Sequence, residues 1–144
     1  MVSLEPYLPP RPATRPLVLV VEDDEDTRAM YAYALPAMGF DVTVADDAAK
    51  AHARAAETRP DIIVADVESG GRDGWTLLRA LRRDPQTQDI PVVVVTEDPA
   101  PAVRERATRE GCAALCLKSC PPDRLAIGLR LVLERCAPAR RESA

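Results

Sequence analysis

Residues 17–30 read LVLVVEDDEDTRAM: five apolar residues run without a break into five consecutive acids, Glu22 to Asp26, and then into a helical segment. An apolar run of this length without polar alternation suits a strand buried on both faces. Four more such runs follow, DVTVA (41–45), DIIVA (61–65), PVVVV (91–95) and AALCL (113–117). Between the runs, apolar residues recur at helical spacing. Met30, Ala34, Ala37 and Met38 share one face, as do Trp75, Leu78 and Leu81, and later Leu125, Leu129 and Val132. Ala48–Thr58 reads as an alanine-rich helix and Val103–Glu110 as a short polar one. Gly39 and Gly111 stand where helices stop, Asp84-Pro85 ends another, and Pro36 should disturb the last turn of the first helix. Five strands alternating with five helices predict an α/β fold. Parallel strands need right-handed crossovers, which put helices on both sides of the sheet. The expected architecture is a doubly wound, five-stranded parallel sheet of order 2-1-3-4-5, a flavodoxin-like three-layer sandwich.

The rest of the chain narrows the class. One hundred and forty-four residues suit one domain. Nineteen basic against twenty-three acidic side chains exclude a nucleic-acid binder that relies on a general basic field. The apolar runs are too short to cross a bilayer, and the start lacks the pattern of a secretory signal, so a cytoplasmic protein is expected. Residues 1–16 hold five of the fourteen prolines and read as a flexible extension; 17–136 form the folded domain, and 137–144 a flexible tail. Cys112, Cys116, Cys120 and Cys136 lack zinc-ribbon spacing, and His52 is distant in sequence. Reduced, structural thiols are expected, with metal or redox use as the alternative.

In sheets of this type ligands bind beyond the carboxyl ends of the strands, where strand order reverses. The first strand runs into the five acids, without which nineteen bases would face eighteen acids. The third ends at Asp66, the fourth at Thr96 and the fifth at Lys118. Each has an ordinary explanation: Asp24 or Asp26 as a helix N-cap, Thr96 as a turn residue, Lys118 as a solvated cation. Together they make complementary chemistry at one edge. Two like charges about 4 Å apart repel by ~4 kcal/mol at an effective dielectric of ~20. Glu22, Asp23 and Asp66 should therefore raise a carboxyl pKa or hold a divalent cation. Oxygen-only sites with few carboxylates suit Mg²⁺, which commonly binds beside a phosphate. Thr96 and Lys118 offer a hydroxyl donor and a positive charge to phosphoryl oxygens, and Asp66 is available as nucleophile.

LVLVVEDDEDTRAM (17–30), PDIIVADVESGGRDGWTLLRALR (60–82), PVVVVTED (91–98) and, more loosely, GCAALCLKS (111–119) resemble, in order and spacing, the receiver domain of bacterial response regulators. The resemblance runs from about Leu17 to Arg135. It implies that Asp66 accepts a phosphoryl group from a partner's phosphohistidine. It implies Mg²⁺ held by Asp23 directly, by Glu22 largely through water, by Asp66, and by the backbone carbonyl of Glu68. Thr96 and Lys118 correspond to the residues that meet the phosphoryl group, and Gly74 to the glycine before the third helix. A partner-docking face on the fourth helix, fifth strand and fifth helix is also implied. This sequence departs from the family pattern at Gly70, at Ser119 after the lysine, at Leu115 in place of a switch aromatic, and at Glu97 after Thr96. A carboxylate at Glu97 is expected to crowd or repel an attacking water or to pair with a nearby arginine.

Only nine residues follow Arg135, so a stand-alone receiver is expected, without a DNA-binding domain. Its partners would be a histidine kinase or histidine phosphotransfer protein and a downstream protein target, with a homodimer also open. Its chemistry would be limited to its own phosphorylation and dephosphorylation. Two alternatives remain: a degenerate receiver that binds protein without phosphate, and a small haloacid-dehalogenase-like phosphatase, which expects Asp-x-Asp where this chain has Asp66-Val67-Glu68. His52 is expected on a solvated face, Tyr31 and Tyr33 to cover the first helix, and Arg104, Arg106 and Arg109 to form a solvated stripe.

Overall fold

The computed structural model describes residues 15–67, 74–97 and 100–142, with side chains as far as 136. In chain order the elements are β1 (Leu17–Val21), α1 (Glu25–Ala37), β2 (Asp41–Ala45), α2 (Ala48–Thr58), β3 (Ile62–Asp66), α3 (Trp75–Arg83), β4 (Val92–Thr96), α4 (Pro101–Arg109), β5 (Ala114–Leu117) and α5 (Pro122–Glu142). The strands form one parallel sheet of order β2-β1-β3-β4-β5, the expected topology. No helix among the described residues is long and apolar enough to cross a membrane.

Alternation along the strands divides the core between two faces. Leu19, Val21, Ile63, Ala65, Val92 and Val94 pack with α2, α3 and α4, where Ala51, Ala55, Leu78, Leu81 and Ala107 are buried. Val18, Val20, Ile62, Val64, Val93 and Val95 face α1 and α5, where Tyr31, Leu35, Leu125, Leu129 and Val132 are buried. Only the central strands β1, β3 and β4 are buried along their whole length. β2 and β5 are half-buried over most of theirs. All five runs read as doubly buried in sequence, but an edge strand has a neighbour on one side only.

β3 and β4 begin one residue later than their apolar runs. Asp61 uses its carboxylate to accept the Leu17 N–H at 2.8 Å, and Pro91 has no N–H to give a ladder. The shift places Asp66 and Thr96 as the last residues of their strands. Asp24 caps α1 by accepting the Thr27 N–H at 2.9 Å, so this acid has the ordinary role considered for it. Pro36 falls in the last turn, and the helix closes where the Met38 N–H meets the Leu35 carbonyl at 2.9 Å. Gly39 and Gly111, at φ 98° and 81°, turn the chain after α1 and α4.

Two expectations change. The buried face of α1 is Tyr31 and Leu35, not Met30, Ala34, Ala37 and Met38; Met30 and Ala37 are exposed, and Ala34 and Met38 are half-buried. Tyrosine was read as a cover, yet it buries its ring and keeps a hydroxyl partner. Tyr33 stays outside, 88% exposed. α5 continues to Glu142, so helical backbone carries part of the stretch assigned to a tail.

Candidate functional site

The pleat brings the chemistry together. Glu22 follows Val18 and Val20 in alternation, Asp66 follows Ile62 and Val64, and Lys118 follows Ala114 and Cys116. All three therefore leave their strands on the α1/α5 side. They line a cavity of about 440 Å³ with Thr27, Met30 and Tyr31 of α1 and the segment Ser119–Pro122. Asp66 forms the floor, with 2% of its side chain exposed, and the Lys118 ammonium lies 2.9 Å from its Oδ2. Glu22, Asp23 and Asp66 each place a carboxylate oxygen within 4.8 Å of the others.

Charge at the cavity is poorly solvated. Burial, then the hydrogen bond and negative charge of Asp66, push the Glu22 carboxyl up to about 7, against the pull of the Asp24 N–H and Lys118. Burial works against the charge of Lys118, but the hydrogen bond and charge of Asp66, with Glu97 and Glu22 beyond, hold its ammonium above the usual lysine range. A lysine this far above neutrality is a fixed positive charge rather than a proton donor.

The loop before α1 is tied from behind. Arg28 donates from Nη1 to the Glu22 carbonyl at 2.9 Å and the Asp23 carbonyl at 3.4 Å, and the Glu22 N–H donates to the Ala45 carbonyl at 3.0 Å. Arg28 was not singled out in the sequence; its only signal was a base one turn into the helix that follows the acids. Gly74 lies on the α3 side of the sheet, away from this cavity. A Cβ there would lie 2.3 Å from the Val67 Cα, so only glycine lets α3 start directly beneath β3.

Thr96 sits differently. It continues the alternation of Val92 and Val94, on the α3/α4 side, and is 1% exposed. Its carbonyl accepts the Lys118 N–H at 2.7 Å, but its side chain is not part of the cavity wall, which β4 supplies through Val95 and its neighbour Glu97. Glu97 pairs with Lys118 at 3.7 Å. Ser119 adopts φ 66°, and among the described residues no peptide bond is cis; Lys118 reaches Asp66 from this backbone. Glu68, Gly70 and Gly71 lie outside the described residues.

Other expected surface residues are engaged. His52 Nε2 meets Asp84 Oδ2 at 2.8 Å. Arg106 lies over the Trp75 ring, 5.1 Å from its centroid, while Arg79 makes a two-pronged contact with Glu110. All four cysteines are free thiols. The Tyr31 hydroxyl donates to the Cys120 carbonyl at 2.9 Å, a contact across eighty-nine positions that no sequence pattern announced.

Comparison with known proteins agrees with this arrangement. An open α/β sheet with an acidic pocket at its strand tips is the architecture of a signalling receiver. The response regulator receiver domain family matches residues 18–130, and the chain belongs to it. The phosphate regulon transcriptional regulatory protein PhoB of Pseudomonas aeruginosa is 31% identical over 126 residues, covering 88% of this chain and 55% of that protein. Response regulator PleD of Caulobacter vibrioides is 43% identical over 79 residues, 55% of this chain and 17% of that protein. The chain thus spans about half or less of these curated relatives. The chemotaxis protein CheY4 of Vibrio cholerae superposes with a TM-score of 0.77 at 27% identity, over 82% of this chain and 98% of the other. Receiver domains of two-component systems are signalling domains that bind Mg²⁺ at an acidic pocket and interact with histidine kinases or phosphotransfer proteins.

Proposed function

We propose that Asp66 is the phosphoacceptor of this receiver and takes a phosphoryl group from the phosphohistidine of a histidine kinase or phosphotransfer partner. An Asp66 carboxylate oxygen attacks phosphorus in line, the P–N bond breaks, and the imidazole nitrogen leaves with the bonding electrons. The observation that carries this reading is the Asp66 carboxylate on the cavity floor, grouped with Glu22 and Asp23 and 2.9 Å from a fixed ammonium.

The donor set suits magnesium: oxygen ligands only, clustered, with Glu22 disfavoured as an anion until a cation joins it. Glu22, Asp23 and Asp66 would hold the ion, with the Glu68 backbone carbonyl as the fourth protein ligand. Bound there, it would neutralise the charge that accumulates on the phosphoryl oxygens during transfer. Lys118 answers the same charge from the opposite side and moves from the Asp66 carboxylate to a phosphoryl oxygen as that carboxylate becomes an acyl phosphate. Thr96 contributes once its hydroxyl turns from the α3/α4 side toward the new group. The resulting shift at β4 and β5 alters a surface read by a downstream protein.

The test is incubation with Mg²⁺ and acetyl phosphate. The expected product carries one added phosphoryl group, labile to hydroxylamine, that chelation prevents from forming and that Asp66→Asn does not acquire. An unmodified wild-type protein that still binds its partner would mark a phosphate-independent binding module instead.

A further inference from the structure

We propose that the outer face of α5 is a self-association site, on which a second copy of this chain packs its own α5 antiparallel. Five large apolar side chains are exposed among the described residues: Met30, Tyr33, Leu117, Ile127 and Leu131. Met30 belongs to the wall of the Asp66 cavity. Ile127 and Leu131, 63% and 54% exposed, stand one turn apart on α5. They lie on the side opposite Leu125, Leu129 and Val132, which the helix buries in the α1/α5 core. Arg124 and Glu134 extend the stripe by one turn at each end, and Asp123 and Arg135 flank it; all four are exposed.

The order of these residues is self-complementary. An antiparallel neighbour, related by a two-fold axis level with Leu129, brings Ile127 opposite Leu131 of the partner subunit. The same rotation brings Arg124 opposite the partner's Glu134, and Asp123 opposite the partner's Arg135. Each pairing occurs twice, as an isologous contact requires. Parallel packing would instead set each of these charges against its own kind. A partner of different sequence has no use for this symmetry, which is why the occupant is a second copy.

Gly128 supplies room beside the stripe. A Cβ there would meet nothing within 4 Å, so packing within one chain does not ask for glycine, and glycine weakens a helix interior. In the antiparallel pair the partner's Leu131 arrives level with Ile127 and beside Gly128, in space that a larger side chain would take. α4 offers no comparable face, because Arg104, Glu105, Thr108 and Arg109 occupy its exposed positions. The pair is therefore made by α5 alone. A contact confined to one face of one helix is smaller than a standard interface, and a reversible dimer with a Kd of about 10–100 µM is expected.

Self-association stands apart from the phosphoacceptor reading and is measured on the full, unphosphorylated chain. Sedimentation velocity from about 5 to 500 µM should show the wild type passing from monomer to dimer. Ile127→Asp puts a charge at the centre of the contact and should raise the Kd by about thirtyfold or more. Arg124→Glu and Glu134→Arg should each raise it by about tenfold. The double variant should return it to within about threefold of the wild type, because both pairings are restored with their signs exchanged. Gly128→Leu should weaken the dimer by about tenfold, and Arg104→Glu on α4 should leave it unchanged. Circular dichroism checks that each variant keeps its helices. A wild type that stays monomeric at the highest concentration, or a double reversal that associates no better than the single ones, would overturn the proposal. So would a dimer that Arg104→Glu disrupts as much as Ile127→Asp does, since the interface would then include α4.

Discussion

The two faces of the sheet are built from nearly the same apolar residues and end in opposite ways. On the α1/α5 side the alternation that buries Val18, Val20, Ile62 and Val64 runs on into Glu22 and Asp66, and that of β5 into Lys118. On the α2/α3/α4 side, beneath Leu19, Val21, Ile63 and Val94, it closes with buried Val67 and Thr96. Strand parity therefore decides which face receives Glu22, Asp66 and Lys118, and Asp23 joins them from the loop after β1. A one-residue slip in any central strand would send its terminal side chain to the wrong layer. The α3/α4 side carries its polar contacts farther out, in Arg79–Glu110 and Arg106–Trp75, where they join helices rather than make a pocket.

The largest expected effect is on the reactive face. Lys118→Ala removes the cation that faces Asp66, and the phosphorylation rate with acetyl phosphate should fall by about 10²-fold, the scale for loss of one preorganised charge-stabilising group. Lys118→Arg should recover only part of that rate, because a planar guanidinium replaces a compact ammonium in a cavity of about 440 Å³. Stopped-flow measurement at saturating Mg²⁺ decides it. An unchanged rate in Lys118→Ala would mean that the contrast between the two faces is one of charge without chemical consequence.

How much of this was legible in the sequence follows from the range of each interaction. Asp66, Thr96 and Lys118 could be placed because each terminates a short apolar run, and a parallel sheet delivers every such terminus to one edge. The direction of Thr96 could not, since alternation puts it on the face of Val92 and Val94 but does not say which helices cover that face. Arg28 and the Tyr31–Cys120 contact join residues by fold rather than by spacing. The apolar stripe of α1 was misplaced because four small or flexible residues outscored one tyrosine whose ring is buried and whose hydroxyl is satisfied from another layer. An arginine was expected as the partner of Glu97, whereas the cation it meets at 3.7 Å is Lys118.

A smaller effect separates charge from packing at the reactive face. The Glu22 carboxyl titrates near 7 in the fold, against an ordinary value of 4.5. Between those pH values the native state holds a proton that the unfolded state has released. Stability contributed by the protonated form is therefore fully present below about 4.5 and is lost as pH rises toward 7. Glu22→Gln cannot titrate. In the absence of metal it should match the wild type near pH 4.5 and exceed it at pH 8 by about 1–3 kcal/mol. Added Mg²⁺ should reverse the order at pH 8, since the ion needs the carboxylate. Urea unfolding at both pH values, with and without magnesium, tests each sign.

The smallest effect tests the quiet face. Arg106 covers the ring of Trp75, the single tryptophan of the chain, and its Nε lies 4.0 Å from Glu110, which Arg79 already holds at 2.8 Å. Losing the guanidinium removes one half-exposed cation–π contact, worth about 0.5–1 kcal/mol, and uncovers an indole that is otherwise buried. Arg106→Ala should lower stability by that amount and change Trp75 emission while leaving the phosphorylation rate of Asp66 where it was. Trp75 and Arg106 belong to the layer that receives Val92 and Val94, and no pleat position carries their side chains to the cavity. A slowed phosphorylation rate with unchanged stability would show that the two layers communicate through β4, with Thr96, buried on one side and bound through its carbonyl to Lys118 on the other, as the residue placed to carry the signal.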